Sequence, residues 1–331
     1  MKKLINDPFD VVDELLDGFT QAHADLVRLA APHVVARHAP VVGKVGLVVG
    51  GGSGHEPAFA GYVGPGLADA AALGNVFAAP SPDICLDAIR AASTGAGVVL
   101  AYGNYAGDVL NFDLAVADAA REGIECRTVL VTDDVASASL DERERRRGIA
   151  GDVFVFKIAG AAADRGDDLA GVERMARRAN EACSTIGVAL SACEVPGAGR
   201  PTFEIEPDEI EIGMGIHGEP GIERGALQPA DAVVERMLDT LLRDRAQRGD
   251  MPGEVALLVN GLGATPYMDL YILCRAALRG LGDADFEVSR IFVGEYVTSL
   301  EMAGASLTIM DLDDELRALL DAPARSARWP A

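Results

Sequence analysis

An alternating stretch in the second half of the chain constrains its fold more than any other feature. Apolar residues occupy every second position from Ile210 to Ile216, in the sequence IEIGMGIH. This period of two predicts a strand over residues 210–217 that buries one set of side chains and turns the other set, with His217, to the opposite face. Two glycines share that face, and glycine inside a strand often marks a close approach of a ligand or another backbone. The pattern predicts a functional histidine beside an open floor, with an ordinary surface or core histidine as the alternative.

A glycine-rich segment in the first quarter of the chain contains a second histidine. A strand predicted over residues 41–49 runs into the sequence GGGSGHEP, which includes His55. Such a segment can fold tightly and expose backbone amides to an oxygen-rich ligand. It lacks the lysine of a phosphate-binding loop, the last glycine of a nucleophile elbow and the third glycine of a dinucleotide fingerprint. Nucleotide binding by this segment is therefore not supported.

A third polar residue follows another predicted strand. Residues 98–102 read as a strand that leads through GNYAGD into a helix, so Asp108 lies at a strand-to-helix connection. Open α/β sheets usually build their sites at such connections. The alternative is an N-cap, a position that aspartate fills often.

Strands and helices alternate along both halves of the chain, which predicts the α/β class. The pattern changes near residues 180–187, and a length of 331 residues suits two domains. We therefore expect two α/β domains, each with a central sheet flanked by helices, with a boundary between residues 183 and 184. The predicted helices cover residues 8–30, 82–92, 151–165, 169–186, 230–244 and 266–279, and further strands cover residues 126–131, 188–195, 203–205, 255–260, 287–292 and 307–312. The charged run at residues 141–147 reads as a solvated loop or helix face.

The charge balance excludes several classes of partner. The chain has 29 basic and 51 acidic residues, a net charge of -22. Such a field repels nucleic acid and anionic membrane surfaces, so neither is expected as a partner. No signal peptide is visible at the amino terminus. The five cysteines form no C-x-x-C pair, which fits reduced thiols and predicts a cytoplasmic location.

A metal site is a competing interpretation of these polar residues. His55, His217 and the neighbouring acids could together bind zinc. Against this, no two histidines have short ligand spacing such as H-E-x-x-H. We expect no metal in this chain.

Five segments closely resemble the dihydroxyacetone-binding subunit of the dihydroxyacetone kinase family. They occur in the order of that family and cover nearly the whole chain, and the segment that contains His217 is highly specific. They read GGGSGHEPAFAGYVGPG, GNYAGDVLNFDLA, PTFEIEPDEIEIGMGIHGEPGIE, NGLGATPYMDLYIL and SLEMAGASLTIMDLDDEL.

The resemblance implies a covalent capture of substrate. His217 is expected to attack the ketone carbon of a short ketose and form a hemiaminal, chemistry that suits a neutral imidazole. His55 is expected to act as general base on the terminal hydroxyl, and Asp108 to bind that hydroxyl or orient the pair. The expected catalytic residues are thus His217, His55 and Asp108. The residues expected to bind substrate are Gly52, Ser53, Gly54, His55, Gly103 and Asp108.

Gly103 departs from the family pattern. Many members have a lysine at this position, just before the Asn-Tyr pair, where it helps to bind substrate. Loss of a long cationic side chain removes a donor and opens space. We therefore expect the pocket to accept a four-carbon ketose such as erythrulose as well as, or instead of, dihydroxyacetone. Lysine at position 103 should then favour the smaller ketose.

The resemblance also implies partners. Phosphoryl transfer needs a nucleotide and magnesium, and the family places ADP or ATP with Mg²⁺ on a separate nucleotide-binding L-type kinase subunit. A homodimer is expected, as is a carboxyl-terminal tail, residues 313–331, that joins the first domain (1–183) beside the second (184–312). The alternative is a catalytically silent, ketose-sensing regulatory protein, because relatives of this family act as transcriptional coactivators that have lost the covalent histidine.

Overall fold

Two mixed six-stranded sheets form the framework of the computed structural model, which describes residues 2–249 and 253–329. The first sheet has the spatial order β1-β2-β4-β3-β5-β6. Its strands are β1 (Val27–Ala31), β2 (Val34–Arg37), β3 (Gly46–Ser53), β4 (Ala70–Val76), β5 (Val98–Gly103) and β6 (Cys126–Val131). The predicted α/β class is confirmed.

The order of the parallel strands determines where the first sheet can hold a site. Strand β3 pairs in parallel with β4 on one side and with β5 on the other, and β5 pairs in parallel with β6. The chain leaves β3 toward β4 and then crosses back to β5, so the direction of winding reverses beside β3. Open α/β sheets bind ligands at the carboxyl ends of strands at such a switch point.

Helices cover both faces of the first sheet. One face packs against α2 (Pro82–Ala92) and α3 (Ala106–Arg121), and α1 (Val11–Ala22) packs on the other. That second face also contacts α4 (Asp152–Arg165) and α5 (Leu169–Ala182). From Asp152 to Ala163 every side chain of α4 is buried, which explains its mostly apolar sequence.

The second sheet has the order β11-β10-β12-β7-β8-β9, and its strands pair antiparallel except for β10 and β11. Its strands are β7 (Cys183–Ala189), β8 (Glu209–Ile212), β9 (Glu223–Ala226), β10 (Glu254–Gly261), β11 (Glu287–Gly294) and β12 (Gly304–Asp311). Helices α6 (Ala230–Arg248) and α7 (Tyr267–Asp283) pack on one face. The other face shares a hydrophobic core with α4, α5 and the first sheet.

The carboxyl-terminal segment packs against this shared core. Helix α8 (Asp314–Asp321) contributes three leucines to it, and Trp329 is also buried there. The buried Lys157 of α4 donates to the carbonyl oxygen of Leu319 at 2.6 Å. Because one core runs from the first sheet to the second, the division into 1–183 with 313–331 and 184–312 stays a prediction.

Several predicted elements have other bounds in the structure. The first helix ends at Ala22, and part of its predicted range is β1. The predicted helix over 169–186 ends at Ala182 because the chain enters β7 there, and the described residues 190–208, which include the predicted strand 203–205, contain no strand. The run at 141–147 is not fully solvated, since Arg146 and Arg147 are held in ion pairs with Asp244 and Asp134.

Candidate active site

His55 follows the end of β3, in a turn that glycine makes possible. The glycines predicted as a loop belong to the strand itself, because Gly50, Gly51 and Gly52 pair with β4. The turn comes after Ser53, where Gly54 has a φ of 99°. The two carboxylate oxygens of Glu56 accept from the amide of Gly54 at 3.1 Å and hold the turn. His55 is consequently fixed with only 2% of its surface exposed.

His217 lies in a turn and not at the end of a strand, so the predicted strand over residues 210–217 is wrong beyond Ile212. Strand β8 ends at Ile212, and Gly213 adopts a φ of 83°, which no strand residue has. The amide of Gly215 donates to the carbonyl oxygen of Glu219, which closes a short loop around the histidine. The alternating pattern therefore reflects a strand followed by a glycine turn.

The two histidines meet ring to ring although 162 positions separate them in sequence. Their Nε2 atoms are 3.0 Å apart. Nδ1 of His55 lies 2.7 Å from the carbonyl oxygen of Thr298, and Nδ1 of His217 lies 2.9 Å from Oε1 of Glu219. The carbonyl and the ionised carboxylate can only accept, so both Nδ1 atoms are assigned a proton. The contact between the two Nε2 atoms then requires one further proton between them.

Aromatic rings enclose the histidine pair. Phe77 stacks on His55 with ring centroids 5.0 Å apart, and its edge meets His217 at 5.1 Å. Tyr105 meets His217 edge-on at 5.0 Å. These rings pack against the imidazoles and limit their movement.

Asp108 lies in the first turn of α3, directly beyond β5. The helix begins at Ala106 after Tyr105, so Asp108 does not cap it, and the N-cap interpretation is wrong. Its side chain is buried, and Oδ1 has no hydrogen-bond partner among the described residues. A buried carboxyl oxygen without a partner is costly in a folded protein, which suits a group that waits for a ligand.

The pKa of Asp108 is raised in this site, whereas the pKa values of His55 and Glu219 are lowered. Burial raises the pKa of Asp108 to about 7, although the charge of His217 acts against the shift. Burial and the charge of His217 lower the pKa of His55 to about 3. Burial opposes the charge of Glu219, but the hydrogen bond and charge of His217 outweigh it and lower its pKa to about 2.

A small cavity brings most of the predicted site residues together. Its volume is about 20 Å³, enough for about one water molecule. The cavity is lined by Gly50, Gly51, Gly52, His55, Phe59, Gly103, Tyr105, Asp108, Gly148, Asp152, Ile216 and His217. Ser53 and Gly54 do not line it, since the hydroxyl of Ser53 donates to the carbonyl oxygen of Gly74. A larger cavity of about 610 Å³, between α6 and α7, contains none of the predicted residues.

The space beside Gly103 is narrower than the sequence suggests. A Cβ atom at this position would lie 3.1 Å from both the carbonyl oxygen of Gly148 and the ring of Tyr105. Glycine therefore lets these groups approach the backbone closely, and a longer side chain would have to displace them. The effect of Gly103 on the choice of ketose stays a prediction.

Family comparison agrees with this geometry over almost the whole chain. The Dak1 domain family matches residues 17–328. The chain belongs to the Dak1 domain family. This Dak1 chain is 45% identical over 327 residues to the PTS-dependent dihydroxyacetone kinase 2, dihydroxyacetone-binding subunit DhaK of Listeria innocua, and the match covers 98% of this chain and 97% of that subunit.

Two further similarities bear on the function of this Dak1 chain. It is 47% identical over 325 residues to the D-erythrulose kinase of Mycolicibacterium smegmatis, covering 98% of this chain but 56% of that kinase. Among solved structures it resembles the dihydroxyacetone kinase operon co-activator Dha-DhaQ, with a TM-score of 0.90, 32% identity and coverage of 96% of this chain and 97% of that one.

Searches of the described residues for a metal site and a membrane span find neither. Within residues 2–249 and 253–329, no group of three or more His, Cys, Asp or Glu residues could hold a metal ion. Over the same residues, no helix is both long and apolar enough to cross a bilayer. The cytoplasmic location and the absence of a metal stay predictions.

Four contributors to the site have no role in the sequence interpretation. Glu219 follows His217 by two positions in the same quoted segment, and this spacing is the signal that could have identified it as a partner of the histidine. Tyr105 lies in a recognised segment but looks like an ordinary aromatic. Asp152 begins a helix read as apolar, and Thr298 acts through its backbone carbonyl, which no residue type reveals.

Proposed function

We propose that this Dak1 chain is the ketose-binding subunit of a dihydroxyacetone-type kinase, and that it captures a short ketose covalently on His217. The observation that carries this proposal is the paired histidines: Glu219 behind His217 leaves its Nε2 atom directed at His55, inside the cavity that Asp108 also lines. A triad of this kind matches the arrangement of nucleophile, orienting carboxylate and neighbouring acid or base used in covalent catalysis.

The ketose binds where the two rings now touch. Because the cavity holds about one water molecule, a ketose enters only when the hydrogen bond between the rings opens. Nε2 of His217 then forms a bond to the ketone carbon, and the π electrons of the carbonyl move to its oxygen. That oxygen takes up the proton that the rings shared, through Nε2 of His55. The His217 ring is left with a positive charge, which Glu219 stabilises through Nδ1–H.

Capture by carbon–nitrogen bond formation selects the substrate class. Only a carbonyl compound can form the adduct, so glycerol, which has the same number of carbons as dihydroxyacetone, is rejected by chemistry as well as by shape. The names of the similar proteins, a dihydroxyacetone-binding subunit and a D-erythrulose kinase, support a short ketose as the ligand.

For the terminal hydroxyl, Asp108 is the better general base. With a pKa of about 7 it is partly ionised near neutral pH and can still take a proton from a reacting hydroxyl. His55, with a pKa of about 3, binds a proton too weakly for that role and serves the ketone oxygen instead. This assignment exchanges the roles expected from the sequence. In this step, the hydroxyl proton would move to Asp108 while the hydroxyl oxygen bonds to the γ-phosphorus of ATP, the bond from that phosphorus to the bridging oxygen breaks, and ADP leaves.

The phosphoryl group comes from a nucleotide with Mg²⁺ on a nucleotide-binding L-type kinase subunit, which either exchanges ATP or holds an ADP that a phosphotransferase-system protein recharges. Two observations support a partner. The amides of Gly50, Gly51 and Gly52 lie in a strand paired with β4, so this segment offers no free glycine loop to cradle phosphates. The similar protein of Listeria innocua is named as a subunit of a dihydroxyacetone kinase, which supports a kinase with further subunits. A homodimer and a cytoplasmic location complete the proposal.

The mass of the intact protein under gentle ionisation tests covalent capture. With dihydroxyacetone or erythrulose, the native chain should gain the mass of one ketose, and His217→Ala should gain nothing. His38→Ala is the matched control, because His38 is exposed and distant from the pair. Failure of the native chain to gain mass with either ketose, or an adduct that persists in His217→Ala, would overturn the proposal.

A regulatory function is the second candidate, and the similarity to the co-activator Dha-DhaQ favours it. The retained set of His217, His55 and Asp108 favours the kinase. Turnover separates the two: a kinase subunit phosphorylates the ketose when a nucleotide-binding kinase subunit, ATP and Mg²⁺ are added. If the protein forms the adduct but shows no turnover with the nucleotide-binding subunit of any similar kinase, it is a sensor.

A further inference from the structure

Residues that line the small cavity beside His55 and His217 have three buried polar atoms without a hydrogen-bond partner among the described residues. They are the hydroxyl of Tyr105 and one carboxyl oxygen each of Asp108 and Asp152. All three residues line the same cavity. Since buried polar groups in folded proteins are almost always hydrogen-bonded, three unpaired atoms on residues that line one cavity indicate a ligand with several hydroxyl groups.

Asp152 has no role in the chemistry proposed above, yet its position is well defined. It is the first residue of α4, with 1% of its surface exposed. Asp133 lies close by, but its oxygens accept from the backbone amides of Ile149 and Gly151. Burial, with the neighbouring charges of Asp133 and Asp108, raises the pKa of Asp152 well above its usual range. A neutral carboxyl can both donate and accept a hydrogen bond.

Tyr105 contacts the ring of His217. Its ring meets the imidazole edge-on at 5.0 Å, and burial raises the pKa of its hydroxyl well above the usual value. It therefore stays protonated and can donate a hydrogen bond.

We propose that Asp152 and Tyr105 bind the two hydroxyl groups of a four-carbon ketose that His55 and Asp108 leave free, of which dihydroxyacetone has only one, and so determine the preference of this site for erythrulose over dihydroxyacetone. This inference rests on the proposed capture at His217. The polar groups in the cavity match the larger ketose in number. As a hemiaminal, dihydroxyacetone has three hydroxyls and erythrulose has four, and the cavity offers His55, Asp108, Tyr105 and Asp152.

The preference for erythrulose follows from the buried polar groups that dihydroxyacetone would leave without a hydrogen-bond partner. With the three-carbon ketose, at least one buried polar group of this set would remain without a partner. A site built to hydrogen-bond a substrate hydroxyl discriminates strongly against an analogue that lacks it, for this reason. Asp152 and Tyr105 are thus specificity residues, and the transfer of the phosphoryl group remains with Asp108 and its partners.

Adduct formation measured against ketose concentration tests this inference without the partner subunit. The full chain is titrated with dihydroxyacetone, L-erythrulose and D-erythrulose, and half-saturation is read from the intact mass. For the native chain, one erythrulose enantiomer should saturate at lower concentration than dihydroxyacetone. In Asp152→Leu and in Tyr105→Phe, this ratio of half-saturation values should shift toward dihydroxyacetone by about tenfold. Asp152→Asn, which retains a donor and an acceptor, should shift it less.

Tyr102→Phe is the matched control for Tyr105→Phe. Tyr102 is buried and adjacent to Gly103 in sequence, but it stacks on Phe112 outside the cavity, so its substitution should leave the ratio unchanged. A thermal melt of each variant shows whether it folds. If Asp152→Leu does not fold, the test relies on Asp152→Asn and Tyr105→Phe.

The outcomes separate this inference from the proposed function. No adduct with any of the three ketoses would overturn both. An adduct with dihydroxyacetone alone, or a ratio unchanged in the folded variants of both residues, would overturn the role of Asp152 and Tyr105 while covalent capture stands.

Discussion

The side chains of the histidine pair are held by atoms that only accept hydrogen bonds. The carbonyl of Thr298 orients His55 and the carboxylate of Glu219 orients His217. Each ring therefore keeps its own proton on Nδ1 and presents Nε2 to the other ring. These contacts determine which nitrogen of His217 is available for the capture proposed above.

Asp108 should make the protein less stable as the pH rises. Its pKa is raised by burial from 3.8 to about 7, so the folded chain binds this proton more tightly than the unfolded chain. The free energy of unfolding therefore falls as the pH rises from the unfolded value to the folded one. Asp108→Asn removes the buried charge, and at about pH 8 it should raise the free energy of unfolding by about 2–4 kcal/mol.

Urea denaturation at two pH values measures this effect. Near pH 4 the gain from Asp108→Asn should be small, because the native carboxyl is then largely protonated in the folded state. The same variant should lose phosphoryl transfer. Equal stabilisation at both pH values would contradict the assigned pKa.

The sequence located His55, Asp108 and His217, and the structure places all three on one cavity. Their spacing beside strands and glycines carried that information. Asp152 could not be found in this way, since its significance depends on an unpaired oxygen in a cavity, which only the three-dimensional packing reveals.

At the scale of elements, Arg147 connects the turn that holds His217 to the end of the first sheet. Its guanidinium pairs with Asp134, beyond β6, at 2.8 Å, and donates to the carbonyl oxygen of Gly213 at 3.2 Å. It also lies 3.8 Å from Glu219. Burial raises the pKa of Asp134 to about 7 against the charge of Arg147. The connection holds the turn that contains His217 against the first sheet.

Arg147→Met should destabilise the protein by about 3 kcal/mol, because it leaves Asp134 buried without its partner. The double variant Arg147→Met, Asp134→Asn should recover most of this loss, since no uncompensated charge remains. Chemical denaturation of the two single variants and the double variant measures the coupling free energy between Arg147 and Asp134.

Arg145→Met is the control for a surface pair. Arg145 pairs with the exposed Glu142, so its loss should cost less than about 1 kcal/mol. If Arg145→Met and Arg147→Met lose the same free energy of unfolding, the buried ion pair contributes no more to stability than the surface pair.

Elements whose apolar patterns were long were predicted well, and the glycine-rich ones were not. Helix α2 matches its predicted range, whereas the glycines of β3 were taken for a loop and those after Ile212 for a strand. Glycine permits both conformations, and the choice is made by pairing with β4 in one case and by a positive φ in the other. Neither factor can be seen in the local sequence.

At the scale of the whole molecule, the tail beyond α8 lies against the loop that follows His55. The amide of Arg325 donates to the carbonyl oxygen of Pro65 at 2.9 Å, and the amide of Arg328 donates to that of Gly61 at 3.2 Å. Gly64 faces the backbone of Arg325 so closely that a Cβ atom would overlap it. The buried Trp329, the one tryptophan of the chain, ends this contact.

Gly64→Ala should displace the tail, and tryptophan fluorescence should report it. The added methyl group forces the backbone of Arg325 away, so the Trp329 emission should shift to longer wavelength, with a loss of about 1–3 kcal/mol in the free energy of unfolding. Gly18→Ala is the control, because a Cβ atom at Gly18 meets nothing within 4 Å. An unshifted emission in Gly64→Ala would show that the tail does not depend on this contact.

The pairing of His55 with Thr298 has a consequence for the newly made chain. The two residues are 243 positions apart, and the contact joins a strand turn of the first sheet to a loop of the second. A ribosome must therefore release nearly the whole chain before His55 can be oriented against His217. An incomplete chain lacks the assembled pair, so the covalent capture proposed for His217 requires a finished molecule.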